Sequence, residues 1–562
     1  MRRWALLWLI LAILAVFGMT FAKLRPEQNG PKRATRMLTA KIKNAETAAD
    51  LVEVVSKAVD RPVFDHIHLA ATYAKLGAFQ KIRQLPLSRM TRSVLVKLER
   101  RLLQMLEKGQ IDPQGLSNIL WAAAHLFVDA PVLLKIVPAL AAQIPSKASD
   151  MGPQGISNCL WATGKLADVR EEVLQIVPAL VDQIPFKAAV MKPQELSNSL
   201  WAAAQLCDAV PYVLRMVPAL KRQIPGRASH MKPQHLSNIL WAAAQLQDAV
   251  PEILAILPAI ASQVPRNAKT MIPQGLSNCL WAAAKLQDAV PDVLKMVPDL
   301  VEEIPREVGA MIPQHLSNSI WAAAQLQDSA PEVLRIISAV VDRIALCAGD
   351  MIPQALSNTL WAAAQLHNAT PEVLAAVPAV ARRICLKADK MKPQHLSNSI
   401  WAAAQLQDAA PEVLDIIPAL VIHIPLKTDG MKPQELSNSL WAVANLQDAA
   451  PQVLKVVPAL VTQIRVKIGG MSPQHLSNCM WAAAQLQHRA PDVLKILPAM
   501  SIQIPRRVKD MIRQSLIESL WAATKLQDAT LLDMLPALSE ALPRSLLVAM
   551  RQKGRPIWKV IQ

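Results

Sequence analysis

Residues 391–430 read MKPQHLSNSIWAAAQLQDAAPEVLDIIPALVIHIPLKTDG, and nearly the same forty letters restart at Met151, Met191, Met231, Met271, Met311, Met351, Met391, Met431 and Met471. Ile111 opens a matching earlier copy and Met511 a worn final one. A period near 40, with no glycine-rich turn and no strand alternation, predicts stacked helix pairs. In this copy Pro393 suits the first position of a helix, where its missing N–H is harmless. Leu396, Ile400, Ala403 and Leu406 then fall near one face at helical spacing. A second helix is expected after Asp408 as N-cap, with Pro411 in its first turn and Val413, Leu414, Ile417, Leu420 and Ile424 as its apolar stripe. Pro418 interrupts that stripe, and ten of the eleven copies carry a proline there. A mid-helix proline costs about 3 kcal/mol, so the second helix is predicted to be kinked or split, and Pro425 ends the repeat.

One repeat cannot bury its own stripe, so the core must form between neighbours. The expected fold class is all-α: an α-solenoid of about eleven stacked 40-residue helix-turn-helix repeats over residues 111–550. Steps of about 8–10 Å give an array on the order of 100 Å long with a concave surface. Residues 46–110 read as a helical N-terminal cap, with helices over Thr47–Val59 and Arg92–Glu107 and a divergent helix opened by Phe64-Asp65-His66-Ile67-His68-Leu69. The last repeat departs from the pattern, with Arg513 for proline and Ile517-Glu518 for Ser-Asn, as a terminal cap should.

Glycine is scarce (16 residues) and hydrophobic residues reach 52 %, mostly alanine and leucine, which favours helix. The net charge of +17 is uneven: +12 lies in residues 1–110, +1 in 111–550 and +4 in the basic tail 551–562. The basic balance therefore belongs to the ends and does not by itself mark the array as a nucleic-acid binder. Six cysteines include no CxxC, and Cys159, Cys279 and Cys479 share one repeat position filled elsewhere by Ser, Thr or Ile. They read as small half-buried residues in a reducing compartment, not as a disulfide framework or zinc site.

Met1-Arg2-Arg3 precedes an uncharged run over residues 4–22, which reads as a signal peptide or a membrane anchor. Residues 23–45 carry seven Lys or Arg against Glu27 alone, the acid-poor composition of an organelle transit peptide. The two together resemble bipartite leaders of plastids bounded by extra membranes. The expected location is an organelle, a plastid ahead of a mitochondrion; the alternative is a membrane-anchored array facing the cytoplasm.

Sorting positions by recurrence yields candidate ligand contacts. The tryptophans, such as Trp201, Trp281 and Trp401, read as wedges against the next repeat, with base stacking as the other role open to them. The asparagines Asn198, Asn238, Asn318 and Asn398 read as an inter-repeat hydrogen-bond ladder, with a constant backbone contact as the rival. The fifth position varies, giving Glu195, His235, His315, His395, Glu435 and His475, and four residues later come Ser199, Ser319, Ser399 and Ser439. Residues four apart share a helical face, and Lys192, Lys232, Lys392 and Lys432 lie three residues before the former. Lysine could hold phosphate while His, Glu or Ser touches a base edge. A plain solvated surface is the competing account of these residues.

The repeat histidines His235, His315, His395 and His475 lie two repeats apart, roughly 20 Å by the packing distance, too far to share a metal. No nucleophile–base pair, phosphate-cradling loop or carboxylate pair stands outside the repeating lattice. No cofactor, metal or catalytic residue is expected, and the chain reads as a binding protein, not an enzyme.

The recurring Pro-Gln-x-Leu-Ser-Asn-x-Leu-Trp-Ala, as in residues 393–402, resembles the octotricopeptide-type repeats of algal and apicomplexan organelle proteins, a group that includes relatives of the FAST-kinase family. The likeness covers residues 111–550, and residues 45–75 also look like the helical lead-in of such proteins. It implies organellar RNA binding for transcript processing, stability or translation. Such proteins often end in a RAP domain, and the twelve residues 551–562 are too short for one. The expected ligand is single-stranded RNA, occupied by a monomer at about one nucleotide per repeat. The alternative is a protein–protein scaffold, membrane-tethered through residues 4–22 if they are uncleaved, which the near-neutral array suits.

Overall fold

The computed structural model describes residues 30–81 and 88–526, together with 528, 531 and 534–541. The segment 1–22, the start of the basic segment 23–45 and the tail 551–562 lie outside the described residues. Among those described, every regular element is α or 3-10 helix, and no single helix is long and apolar enough to cross a membrane. The chain divides into two compact bodies, residues 1–183 and 184–562.

The first body opens with four cap helices: α1 (Gly30–Asn44), α2 (Ala48–Ala58), α3 (His66–Lys81) and α4 (Arg89–Glu107). Helix α2 starts at a capping box, in which Thr47 Oγ1 accepts from the Asp50 N–H and Asp50 Oδ2 accepts from the Thr47 N–H. The cap begins earlier than residue 46. Helix α1, from the segment expected to be transit-like, packs on α3, burying Ile42 and setting Thr35 O and Thr39 Oγ1 at 3.0 and 3.1 Å from Nε2 of the buried His68. Helix α3 in turn packs on the first helix of the first repeat, where Gly77 leaves room for the Trp121 ring; a Cβ there would come within 2.9 Å of it.

Each repeat begins with a 14-residue α-helix, Pro393–Leu406 in the copy quoted above, with proline at its first turn. Its buried side is His395, Leu396, Ser397, Ser399, Ile400, Ala402, Ala403, Ala404 and Leu406. The second segment is split at the proline, as the stripe required. A 3-10 helix, Pro411–Ile416, leads into an α-helix, Ile417–His423, so Pro418 stands in an α-helical first turn and its missing N–H breaks no ladder. Asp408 does not cap this segment: it lies in a turn, and Ala410 occupies the N-cap without a side-chain bond. Most repeats continue the second α-helix for 11 residues, as in Val457–Lys467.

Within each body consecutive first helices pack on one another, and so do consecutive second segments, giving the α-solenoid of 40-residue repeats. Two polar ties set the step. At one end Lys427 Nζ donates to the carbonyl of Asp389 in the preceding repeat and to that of Met391 at the start of its own, at 2.7 and 2.5 Å, and Lys387 does the same to Gly349 and Met351. At the other end Gln287 Nε2 donates to the Gln325 carbonyl of the following repeat at 3.1 Å. Both ties satisfy carbonyls at helix ends that lack intrahelical donors.

Candidate functional site

The side chains at the fourth, eighth, eleventh and fifteenth positions of each repeat advance by 4, 3 and 4 residues. At 3.6 residues per turn they form a stripe about 60° wide along the first helix. In the third repeat these are Gln194, Asn198, Trp201 and Gln205, all exposed or half-buried. The stripe recurs with little change: glutamine at the fourth position of all eleven repeats, tryptophan at the eleventh of all eleven, asparagine at the eighth of ten.

The indoles touch from repeat to repeat. Ring centroids are 6.2 Å apart for Trp201–Trp241 and for Trp281–Trp321, and 6.3, 6.3, 6.5 and 6.0 Å along Trp321, Trp361, Trp401, Trp441 and Trp481. Neighbouring planes tilt by 30–36°. Because these are equivalent atoms, 6.0–6.5 Å is the period of the surface at this radius. The rings pack as wedges, as expected, and each also keeps part of its surface open to solvent. In the first body His125 fills the gap between Trp121 and Trp161, at 4.3 and 4.6 Å.

The asparagines correct one expectation. Asn198, Asn238, Asn318 and Asn398 are half-buried, and their carboxamides make no hydrogen bond to the protein, so there is no inter-repeat asparagine ladder among the described residues. The neighbouring serines do the structural bonding instead: Ser237 Oγ donates to the Gln234 carbonyl and Ser357 Oγ to that of Gln354, each at 3.1 Å. Most of the stripe's asparagine and glutamine carboxamides are left as donor–acceptor pairs beside the indoles; Asn445 Nδ2 donates to the Trp441 carbonyl, and Gln485 Oε1 accepts from Lys525 Nζ.

The variable fifth and ninth positions make contacts within the repeat. Ser199, Ser319, Ser399 and Ser439 are wholly buried, so they cannot meet a ligand with the repeats stacked. Ser399 Oγ donates back to the His395 carbonyl at 2.8 Å. The fifth-position side chains turn back onto their own helix start. Glu195 and Glu435 accept from the backbone N–H of Lys192 and Lys432 at 2.8 and 2.9 Å. His235, His395 and His475 accept through Nδ1 from Lys232, Lys392 and Ser472 at 3.2–3.3 Å. These are the reciprocal halves of capping boxes. His315 is the exception, its Nδ1 buried without a partner.

Burial lowers the pKa of His315 and His475, and burial together with the charges of Lys392 and Lys427 lowers that of His395 to about 4. Burial raises the Glu195 carboxyl against the opposing pull of the Lys192 N–H and charge and of Arg227. Both columns lie about 100° round the helix from the tryptophan stripe. The lysines Lys192, Lys232, Lys392 and Lys432 remain exposed at the helix starts.

Sequence reasoning passed over the fifteenth position. It holds His125, Lys165, Gln205, Gln245, Lys285, Gln325, Gln365, Gln405, Asn445, Gln485 and Lys525, and no acid. Lys285 Nζ stands 4.9 Å from the Trp321 ring and 5.9 Å from that of Trp281, and Lys525 Nζ 4.8 Å from Trp521. The signal was there to find, since this position is four residues beyond the tryptophan and shares its face. Carboxylates are absent from all four stripe positions through the first ten repeats, so a near-neutral array presents an acid-free face. The acids gather elsewhere, as at Glu332, Glu372 and Glu412 on the second segments.

No cluster of three or more His, Cys, Asp or Glu suited to a metal occurs among the described residues. The six cysteines are free thiols; burial raises the pKa of Cys159, Cys279 and Cys479 well above the usual thiol range.

No protein-family model and no curated protein matches this chain. Among solved structures it is similar to a homology model of the full-length AP-3 complex in an intermediate open conformation, with 11 % identity over 94 % of this chain and 96 % of that one, at a TM-score of 0.31. It is also similar to the pentatricopeptide repeat protein PPR10 from maize, with 12 % identity over 92 % and 88 % of the two chains and a TM-score of 0.23. A circular tandem repeat protein of novel topology gives 12 % identity over 87 % and 97 %, at 0.16. The likeness is one of helical-repeat architecture and extends no further.

Proposed function

We propose that this protein binds single-stranded RNA along the first-helix stripe, at one nucleotide per repeat, and acts in organellar RNA processing, stability or translation by occupying the strand. The observation that carries this reading is the half-exposed indole ladder flanked by unbonded carboxamides, repeating every 6.0–6.5 Å. That period is close to twice the stacked step of about 3.4 Å per strand, so a strand following it has its bases drawn out of stack and free to lie on indoles. The carboxamides supply hydrogen bonds to base edges or sugar hydroxyls. The acid-free stripe and exposed lysines such as Lys192 and Lys392 suit a polyanion. Activity is by occupancy, without catalysis. The organelle assignment rests on the acid-poor, basic composition of residues 23–45.

A second reading has support in the same period. Two residues of extended peptide advance about 6.4–6.8 Å, and carboxamides bond peptide groups well, which would make the array a protein scaffold. The absence of carboxylates on the stripe favours the nucleic acid.

The test is selection of the full chain against a random single-stranded RNA pool at low and near-physiological salt. Enrichment that survives the higher salt is expected. Binding that vanishes with salt, beside capture of an extended peptide from a display library, would move the assignment to the scaffold.

A further inference from the structure

We infer that the stripe holds the same kind of base in successive repeats, and that its preferred strand is an adenine-rich RNA tract interrupted where lysine replaces glutamine; this rests on the RNA reading above. An array whose ligand-facing residues differ from repeat to repeat reads a mixed sequence. Here the four stripe positions hardly differ. From the third repeat onward the fourth position is always glutamine and the eleventh always tryptophan, and the eighth is asparagine until Glu518. The fifteenth is Gln205, Gln245, Gln325, Gln365, Gln405 and Gln485, with Asn445 as its shorter homologue. The positions that do vary, the fifth and ninth, turn inward to cap and pack. Identical subsites select one base throughout.

The chemistry of the subsite points to adenine. A carboxamide offers a donor and an acceptor side by side, matching the N6 amino group and N7 of adenine in a two-bond pair. A single strand leaves that edge accessible, and a purine covers more of an indole than a pyrimidine does. Gln205, Gln245, Gln325, Gln365 and Gln405 make no side-chain hydrogen bond among the described residues, so their pairing groups are open. Lys285 breaks the run. Its ammonium, held near the rings of Trp281 and Trp321, only donates. The matching base has two acceptors on its edge, the O6 and N7 of guanine. Lys525 lies over Trp521 six repeats later, where its Nζ also donates to Gln485 Oε1 at 3.0 Å.

The test uses the full chain and fluorescence anisotropy at about 0.15 M salt, with labelled nine-nucleotide oligomers of A, U or C and an A series carrying one G moved through every position. The A oligomer is expected to bind about tenfold or more tighter than U or C, with guanine tightening binding at one or two positions. Lys285→Gln is expected to remove the interior guanine preference and, by completing the glutamine run, to tighten binding of the A oligomer, with circular dichroism unchanged. Equal binding of A, U and C, or a preference for a pyrimidine, would overturn the adenine assignment and leave the RNA reading standing. A guanine series without a preferred position, or one indifferent to Lys285→Gln, would overturn the role given to that lysine. Failure to bind any oligomer or any member of a random pool would bring down the RNA reading and this inference with it.

Discussion

The two halves of each repeat expose very different surfaces. On the first helix the exposed residues are nearly invariant: glutamine, asparagine and tryptophan recur through the array. On the second segment they drift. The exposed position one residue before the ends of Val457–Lys467 and its equivalents is not even constant in kind, passing from Arg306 to Leu346, Leu386 and Val466. Eleven residues earlier in the repeat, Lys295, Arg335, Ala375 and Asp415 change size and charge sign. Both halves belong to the same forty-residue copies, so duplication has acted on them equally. Packing explains constancy at buried positions; it does not explain constancy at half-exposed carboxamides without protein partners. The second segment is thus an internal control, and the first-helix stripe is the surface whose identity has been held.

The largest expected effect sets the halves directly against each other. Replacing Asn238, Asn318, Asn398 and Asn438 by alanine should weaken RNA binding by about 100-fold, at about 0.5–1.5 kcal/mol per lost bond. The melting temperature should not fall, because these groups bond nothing in the protein and alanine is the better helix former. Alanine at Arg335, Asp415, Lys455 and Lys495 should change affinity by less than about threefold. Parity between the two variants in anisotropy titrations would erase the distinction.

The capping column gives a pH signature unrelated to the ligand. His395 has a folded pKa of about 4 against about 6.5 unfolded. Between those values the unfolded chain binds the extra proton. Stability is therefore full above pH 6.5 and is lost as pH falls toward 4, by on the order of 2 kcal/mol. Urea unfolding of the native chain and of His395→Gln, at pH 7 and pH 4.5, should show the native chain losing more.

On the second segment, function-free and fold-bearing residues stand side by side. Lys427→Met removes two bonds at the junction, one to the preceding repeat and one to the start of its own, and should cost about 1–2 kcal/mol. Leu426→Ser, at a 71 % exposed neighbour, should stay within about 0.5 kcal/mol. The smallest effect is a gain: Gly275→Ala should stabilise by about 0.5–1 kcal/mol. A Cβ there meets only ordinary contacts, 3.5 Å from the Met271 Cβ, and Ala355 already holds the equivalent place. Thermal or urea midpoints decide both.

The repeat, its helix pairing and the break at Pro418 were legible in the sequence because period, proline placement and apolar spacing are local. The binding columns were legible only in part. Spacing by four tells which side chains share a face, and it does not tell which way that face points. His395 and Ser399 do share one, and it faces the helix start and the core. Variation drew attention to them; at a capping site, however, Glu and His do the same work of accepting from an N–H, so variety there signals tolerance. Asn198 went the other way. Its recurrence suggested a structural ladder, whereas its freedom from protein bonds is a property of three-dimensional placement alone.

The Lys427-type ties and the indole contacts have one further consequence, for how such a chain changes length. Where the tie recurs, at Lys387, Lys427 and Lys467, the junctions are made by equivalent residues, so excising one whole copy there, residues 391–430, brings together two surfaces that already match. Unequal crossing-over between copies would then yield folded proteins that differ by one whole step, with no new interface to evolve. The molecule's length is in that sense quantised, and a lineage can lengthen or shorten its ruler without redesigning any mark on it.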